Sequence, residues 1–132
     1  MEPLTQRSCV ACRSDTPTLT PEEIVRLQPQ IPQWAVEDDK RLRRAFHFQD
    51  FVTALAFVNQ IGALAEEEGH HPDLYLTWGK VEVVLWTHKI GGLSDNDFIM
   101  AAKTDVLAQA APGREVDAGP TAKDKAAVKA SA

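Results

Sequence analysis

A chain of 132 residues, 44% hydrophobic and 25% charged, has room for one domain with a core of its own. Its net charge of -5 and pI near 5.3 argue against a nucleic-acid surface, which needs a basic face. No stretch offers the ~18 uncharged apolar residues of a bilayer span, and the amino terminus has no apolar signal core, so the expected setting is cytoplasmic with no membrane partner.

Residues 1–19 show no periodicity and read as a flexible leader. They hold the only two cysteines, Cys9 and Cys12, spaced as CxxC in "RSCVACRSD". That spacing suits a redox pair or half of a zinc site. Two thiolates cannot complete a tetrahedral site, and the segment lacks the strand before and helix after that a thioredoxin-like motif needs. The expectation is a reduced pair in a mobile arm, with a metal shared between subunits or redox sensing as the rivals.

"LTPEEIVRL" starts a first helix, with Thr20 as N-cap, Pro21 in the first position and Glu22 and Glu23 at the positive end of the dipole. Pro29 should stop it near Gln28. "QWAVEDDKRLRRAFHF" reads as two strands around an acidic turn at Glu37 to Asp39. In the second strand Leu42, Phe46 and Phe48 share one face, opposite Arg43 and His47. A second helix runs from an Asp50 N-cap to a Gly69 stop, with Phe51, Leu55, Val58, Ile61, Leu64 and Ala65 as its apolar stripe. Strands from Asp73 to Thr77 and Lys80 to His88 follow, joined at Trp78-Gly79. A third helix begins at Ser94, where "SDND" supplies a capping box with Asp97, and ends near Ala111. Residues 112–132, rich in alanine and lysine, read as a disordered tail.

The order α-β-β-α-β-β-α predicts an α+β fold over residues 20–111: a four-stranded antiparallel sheet with three helices on one face. Two open sheet edges and a bare face favour self-association.

Three of the four histidines, His70, His71 and His88, fall around the second hairpin. Pro72 forces His71 out of helical backbone, so the pair sits at a helix-to-strand corner. His88 ends the other strand and can reach back to it. Glu66 lies one helical turn before His70. Imidazoles exchange protons near neutral pH, and no serine elbow or cysteine lies close by to act as nucleophile. The chemistry suggested is proton transfer, as in an elimination or isomerisation. Plain surface polarity, a capping role for Asp97 and sheet packing for Trp78 and Trp86 are the bland alternatives. A zinc site is disfavoured because neighbouring residues in extended chain point to opposite sides.

The array Glu66-x3-His70-His71-Pro72-x5-Trp78-x9-His88-x8-Asp97 resembles the signature of the pterin-4a-carbinolamine dehydratases. Trp34, "FHFQDF" at 46–51 and "GLSDND" at 92–97 are similar too, and the likeness spans about Thr20 to Leu107. It implies dehydration of 4a-hydroxytetrahydrobiopterin, or a related pterin, to the quinonoid dihydropterin, with no metal and no cofactor of the enzyme's own. His70 and His88 would then serve the leaving hydroxyl, and His71 would bind the pterin and take part in proton removal. Glu66 would orient a histidine, Asp97 would border the pocket or fix the third helix, and Pro72, Trp34 and Trp78 would lie near the ring. The resemblance further implies a homodimer or homotetramer and a functional link to an aromatic amino acid hydroxylase. Vertebrate members carry tryptophan two positions after the proline, where this chain has Leu74. A binding, assembly or coactivator module on the same fold, and a small metal-dependent hydrolase, are the competing readings.

Overall fold

A computed structural model of the chain describes residues 2–115. Helix α1 (Pro21–Leu27) carries the expected cap: the Thr20 side chain accepts from the Glu23 backbone N–H while Glu23 reaches back to Thr20. It tightens into a 3-10 turn, Gln28–Gln30, because Pro29 cannot donate an α-helical bond. Strands β1 (Ala35–Glu37) and β2 (Arg41–His47) form the first hairpin, turning through Asp38 and Asp39 at φ 53° and 55°. Aspartate is among the few residues other than glycine that tolerate this left-handed region.

Helix α2 (Phe51–Glu68) starts on Asp50, whose carboxylate accepts from the Thr53 N–H, and stops on Gly69 at φ 68°. Strand β3 (Asp73–Thr77) then pairs with β4 (Lys80–Leu85), and helix α3 (Asp95–Ala110) closes the fold. The sheet is antiparallel throughout in the order β1-β2-β4-β3. Its inner face, including Leu42, Phe46, Val81, Val83 and Leu85, packs into one core with residues of all three helices. Phe57 of α2 anchors that core, edge-on to Phe46 at 5.0 Å and tilted against Phe48 at 5.2 Å. The α+β architecture expected from the sequence is the one observed.

Four expectations change. The stripe of α2 that faces the sheet is Ala54, Phe57, Ile61 and Ala65, while Phe51 and Leu55 face outward. The helix is apolar around much of its circumference, so spacing alone admits two inward faces. Strand β4 ends at Leu85, and His88 opens a 3-10 turn, His88–Ile90, that the left-handed Gly91 terminates.

The leader is also docked. Leu4 is buried in the core, Arg7 pairs with Asp95 at 2.8 Å, and the Leu19 N–H donates to the Leu93 carbonyl. Low hydrophobicity averaged over residues 1–19 hides Leu4, the leucine buried in the core. Finally, ordered backbone pairing runs past Ala111: Gln49 donates to the Gly113 carbonyl and Glu115 to that of His47. The rest of the expected tail, residues 116–132, lies outside the described residues.

Candidate active site

The helix-to-strand corner forms because α2 must stop. Gly69 takes up the left-handed cap, its N–H bonding the Ala65 carbonyl, and the chain then leaves through His70, His71 and Pro72 into β3. The two histidines consequently diverge. His70 turns inward, its side chain 12% exposed, and its Nε2 lies 2.7 Å from Oδ1 of the fully buried Asp97. His71 turns outward, 60% exposed, with Nε2 at 2.5 Å from Glu66. Glu66 therefore contacts His71 and not His70, the histidine one helical turn above it.

Asp97 does two jobs with its two oxygens. Oδ2 caps α3, accepting from the Ser94 N–H at 3.0 Å, and also accepts from the Thr87 hydroxyl at 2.8 Å. Oδ1 is left for His70. The capping role expected of Asp97 is present, and its contact with His70 is one the sequence did not indicate. Thr87 also contacts the Ser94 hydroxyl at 2.7 Å, so the residue before His88 is tied to the carboxylate that holds His70.

A second bridge links the same segments on the outer face of the sheet. The Trp86 indole N–H donates to Asp73 at 3.2 Å, and its ring packs against the His88 imidazole with centroids 4.0 Å apart. The Arg41 guanidinium lies over the Trp86 ring at 5.1 Å. Residues 70–73, 86–88 and 97 are thus joined twice, through Asp97–Thr87 and through Asp73–Trp86. Thr87 and Asp73 were not legible as site residues: a threonine and an aspartate at strand ends carry no periodic signal.

Trp34 and Trp78 are not brought to this corner. Trp34 is 1% exposed in the core, its indole N–H bonded to Asp105 at 2.8 Å. Trp78 is 68% exposed in the β3–β4 turn, at the opposite end of that hairpin from His71. With Thr77 paired to Lys80, the five-residue strand puts it roughly 17 Å away along the chain. Pro72 sits at the corner and fixes the His71 backbone.

Three successive acids close α2, against the helix dipole. Two have partners that explain them: Glu66 holds His71, and Glu68 bonds Lys103 at 2.7 Å and the Cys9 N–H at 2.9 Å. Those contacts, Lys103 above all, hold the Glu68 carboxyl below the usual carboxylate range. Among the described residues no three His, Cys, Asp or Glu side chains are grouped to hold a metal ion. A cavity of about 390 Å³ lies elsewhere, near the C-terminal end of α3 between Gln33, Arg44, Asp105 and Arg114, and includes none of the histidines. No helix of the described residues is long and apolar enough to cross a membrane.

The family model described as pterin 4 alpha carbinolamine dehydratase matches residues 17–107. A protein of Rubrobacter xylanophilus named "Putative pterin-4-alpha-carbinolamine dehydratase" is 49% identical over 107 residues, 81% of this chain and 100% of its own. A relative of the same name from Saccharophagus degradans is 52% identical over 110 residues, 81% of this chain and 97% of its own. A solved structure from Brucella melitensis, described as a transcriptional coactivator/pterin dehydratase, superposes with a TM-score of 0.65 at 33% identity, covering 69% of this chain and 98% of its own. Another, described as a pterin dehydratase-like protein that is a RuBisCO assembly factor in the alpha-carboxysome, gives a TM-score of 0.50 at 29% identity, covering 58% and 89%. With its sheet, its three helices and the full motif from Glu66 to Asp97 in place, this chain belongs to the pterin 4 alpha carbinolamine dehydratase family.

Proposed function

We propose that the chain dehydrates a 4a-hydroxytetrahydropterin, such as 4a-hydroxytetrahydrobiopterin, to the quinonoid dihydropterin and water. The observation that carries this reading is the pair of histidine–carboxylate contacts at one corner, His70–Asp97 and His71–Glu66. A carboxylate only accepts, so each ring carries its bound N–H on Nε2, and Nδ1 is left to exchange a proton with a substrate. The reaction needs one proton delivered to the departing 4a-hydroxyl and one removed from N5. His70 and His88 are assigned to the hydroxyl and His71 to N5, so acid and base come from neighbouring groups and no proton is lost overall. Glu66 and Asp97 orient, and Pro72 fixes the corner. The same reading places the protein in the cytoplasm as a homodimer or homotetramer, recycling the cofactor of an aromatic amino acid hydroxylase.

Ultraviolet monitoring of 4a-hydroxytetrahydropterin decay tests it. Wild type should outpace the buffer blank, and His71→Ala and His88→Ala should fall toward it. Wild-type decay equal to the blank ends the proposal.

The second reading is a binding, coactivator or assembly module without turnover. Its support is the pterin dehydratase-like relative described as a RuBisCO assembly factor. Absent pterin affinity together with a specific partner recovered by pull-down would favour it.

A further inference from the structure

The dehydratase reading uses neither cysteine, yet both are held against one residue beside the site. The Cys9 thiol lies 3.7 Å from the Asn96 backbone carbonyl, and the Asn96 amide NH2 donates to the Cys12 sulfur at 3.6 Å. The residue after Cys9 is clasped by the same side chain: the Val10 N–H donates to Asn96 Oδ1 at 3.0 Å, and its carbonyl accepts from Nδ2 at 2.5 Å. Asn96 is buried, and its side-chain amide is taken up by the CxxC loop. The Cys9 N–H reaches across to Glu68 on α2. The loop therefore bridges the end of α2 and the start of α3. Asn96 is followed directly by Asp97, and Glu68 stands two residues before His70. Those are the partners of the buried pair.

We propose that Cys9 and Cys12 form a thiol–disulfide modification site, and that its oxidation state is felt at His70 through Asn96–Asp97 and Glu68. The oxidant is a low-molecular-weight disulfide, RSSR. Cys12, whose sulfur accepts a hydrogen bond, attacks one sulfur as thiolate, forming Cys12–S–S–R and releasing RS⁻. Cys9 then loses its proton and attacks the Cys12 sulfur, and the second RS⁻ leaves. The two protons given up by the cysteines end on the two RS⁻. Two protein thiols and RSSR thus become one protein disulfide and two RSH, with two electrons passing to RSSR.

The two contacts to Asn96 respond differently to this change. A disulfide sulfur still accepts, so the bond from Nδ2 to Cys12 can persist. Cys9 has no S–H left to offer the Asn96 carbonyl, so its side of the clasp must move. Burial, with the Glu68 carboxylate adding to it, pushes the Cys9 thiol up to about 12. A thiol of such basicity is seldom ionised and is a poor leaving group, so the disulfide both closes and reopens slowly. Both cysteines are only half-buried, so small disulfides can reach them.

The full-length chain, incubated with oxidised or reduced glutathione, alkylated and weighed intact, tests the first half. Oxidised wild type should lose two hydrogens, resist alkylation and map to a Cys9–Cys12 bridge within one chain. Cys9→Ser should stop at the mixed disulfide on Cys12. Two alkylatable thiols in oxidised wild type, a bridge joining two chains, or thiols protected only by stoichiometric zinc would overturn the site. Histidine-ring NMR tests the coupling. His70 resonances should move between the two states of wild type and stay fixed in Cys9→Ser/Cys12→Ser under the same treatment. Identical His70 signals in both wild-type states would refute the coupling. None of these readouts depends on pterin turnover.

Discussion

Two histidine–carboxylate pairs leave the same corner one residue apart, and almost everything about them differs except their chemistry. His70 and Asp97 are 12% and 0% exposed, and the carboxylate also serves Ser94 and Thr87. His71 and Glu66 are 60% and 79% exposed. Removing a buried acceptor strands the donors bonded to it, whereas water replaces an exposed one at little cost. The inner pair therefore belongs to the fold as much as to the site. The outer pair can be altered without disturbing the structure, so its effects report function cleanly.

This contrast can be broken or sharpened by experiment, beginning with catalysis, where the largest effect is expected. On the proposed reaction, His71→Ala should slow pterin dehydration by about 100- to 10,000-fold, the range of a lost general acid or base. Its urea midpoint should stay at the wild-type value, and an equal fall in midpoint would show that the outer pair is structural after all. Next comes Asp97→Ala, which removes the acceptor of the Ser94 N–H, the Thr87 hydroxyl and His70 at once. Stranding buried groups costs about 1–3 kcal/mol each, so urea denaturation should show a loss of about 3 kcal/mol or more. His70→Ala should cost less, about 1–3 kcal/mol by the same measurement, since it strands one carboxylate oxygen.

A pH titration probes the third acid-bearing contact of the region. Lys103 and the Cys9 N–H hold the Glu68 carboxyl below its ordinary value of 4.5. A carboxyl with a depressed folded-state value stabilises fully above its unfolded value, and that contribution fades as pH falls through the lowered one. Urea midpoints taken from about pH 6 down to about pH 3 should therefore drop more steeply in wild type than in Lys103→Met. Parallel curves would show that the Lys103 contact contributes nothing to stability. Smallest of all should be Glu66→Gln, within about 0.5 kcal/mol of wild type in stability, as for a typical exposed substitution. Any change in its dehydration rate would then be assignable to the orientation of His71.

The parts that were legible in advance are local. Thr20, Asp50 and Ser94 stand where helices begin because their side chains satisfy backbone donors within three residues. Gly69 stands where α2 ends because the cap needs positive φ. The alternation of Leu42, Phe46 and Phe48 follows from the two-residue period of a strand. What escaped was long-range. Phe51 and Leu55 fit the helical period as well as Ala54 and Phe57 do, and only the sheet selects between them. Leu4 looks like an isolated leucine in a polar arm until α3 supplies a surface for it. Trp34 and Trp78, both expected near the ring, end in the core and at an exposed turn.

The order of the elements, their caps and the presence of a complete histidine motif are properties of the chain alone, since each rests on neighbours a few residues away. Which carboxylate meets which histidine, that Asp97 divides its two oxygens between a helix cap and His70, and that the CxxC loop closes over Asn96 were decided by the tertiary structure. Apart from the cap itself, which spans three residues, those contacts join residues 5 to 87 positions apart. Local pattern carries no information about such pairings, because the packing of α2, α3 and the sheet brings them within reach.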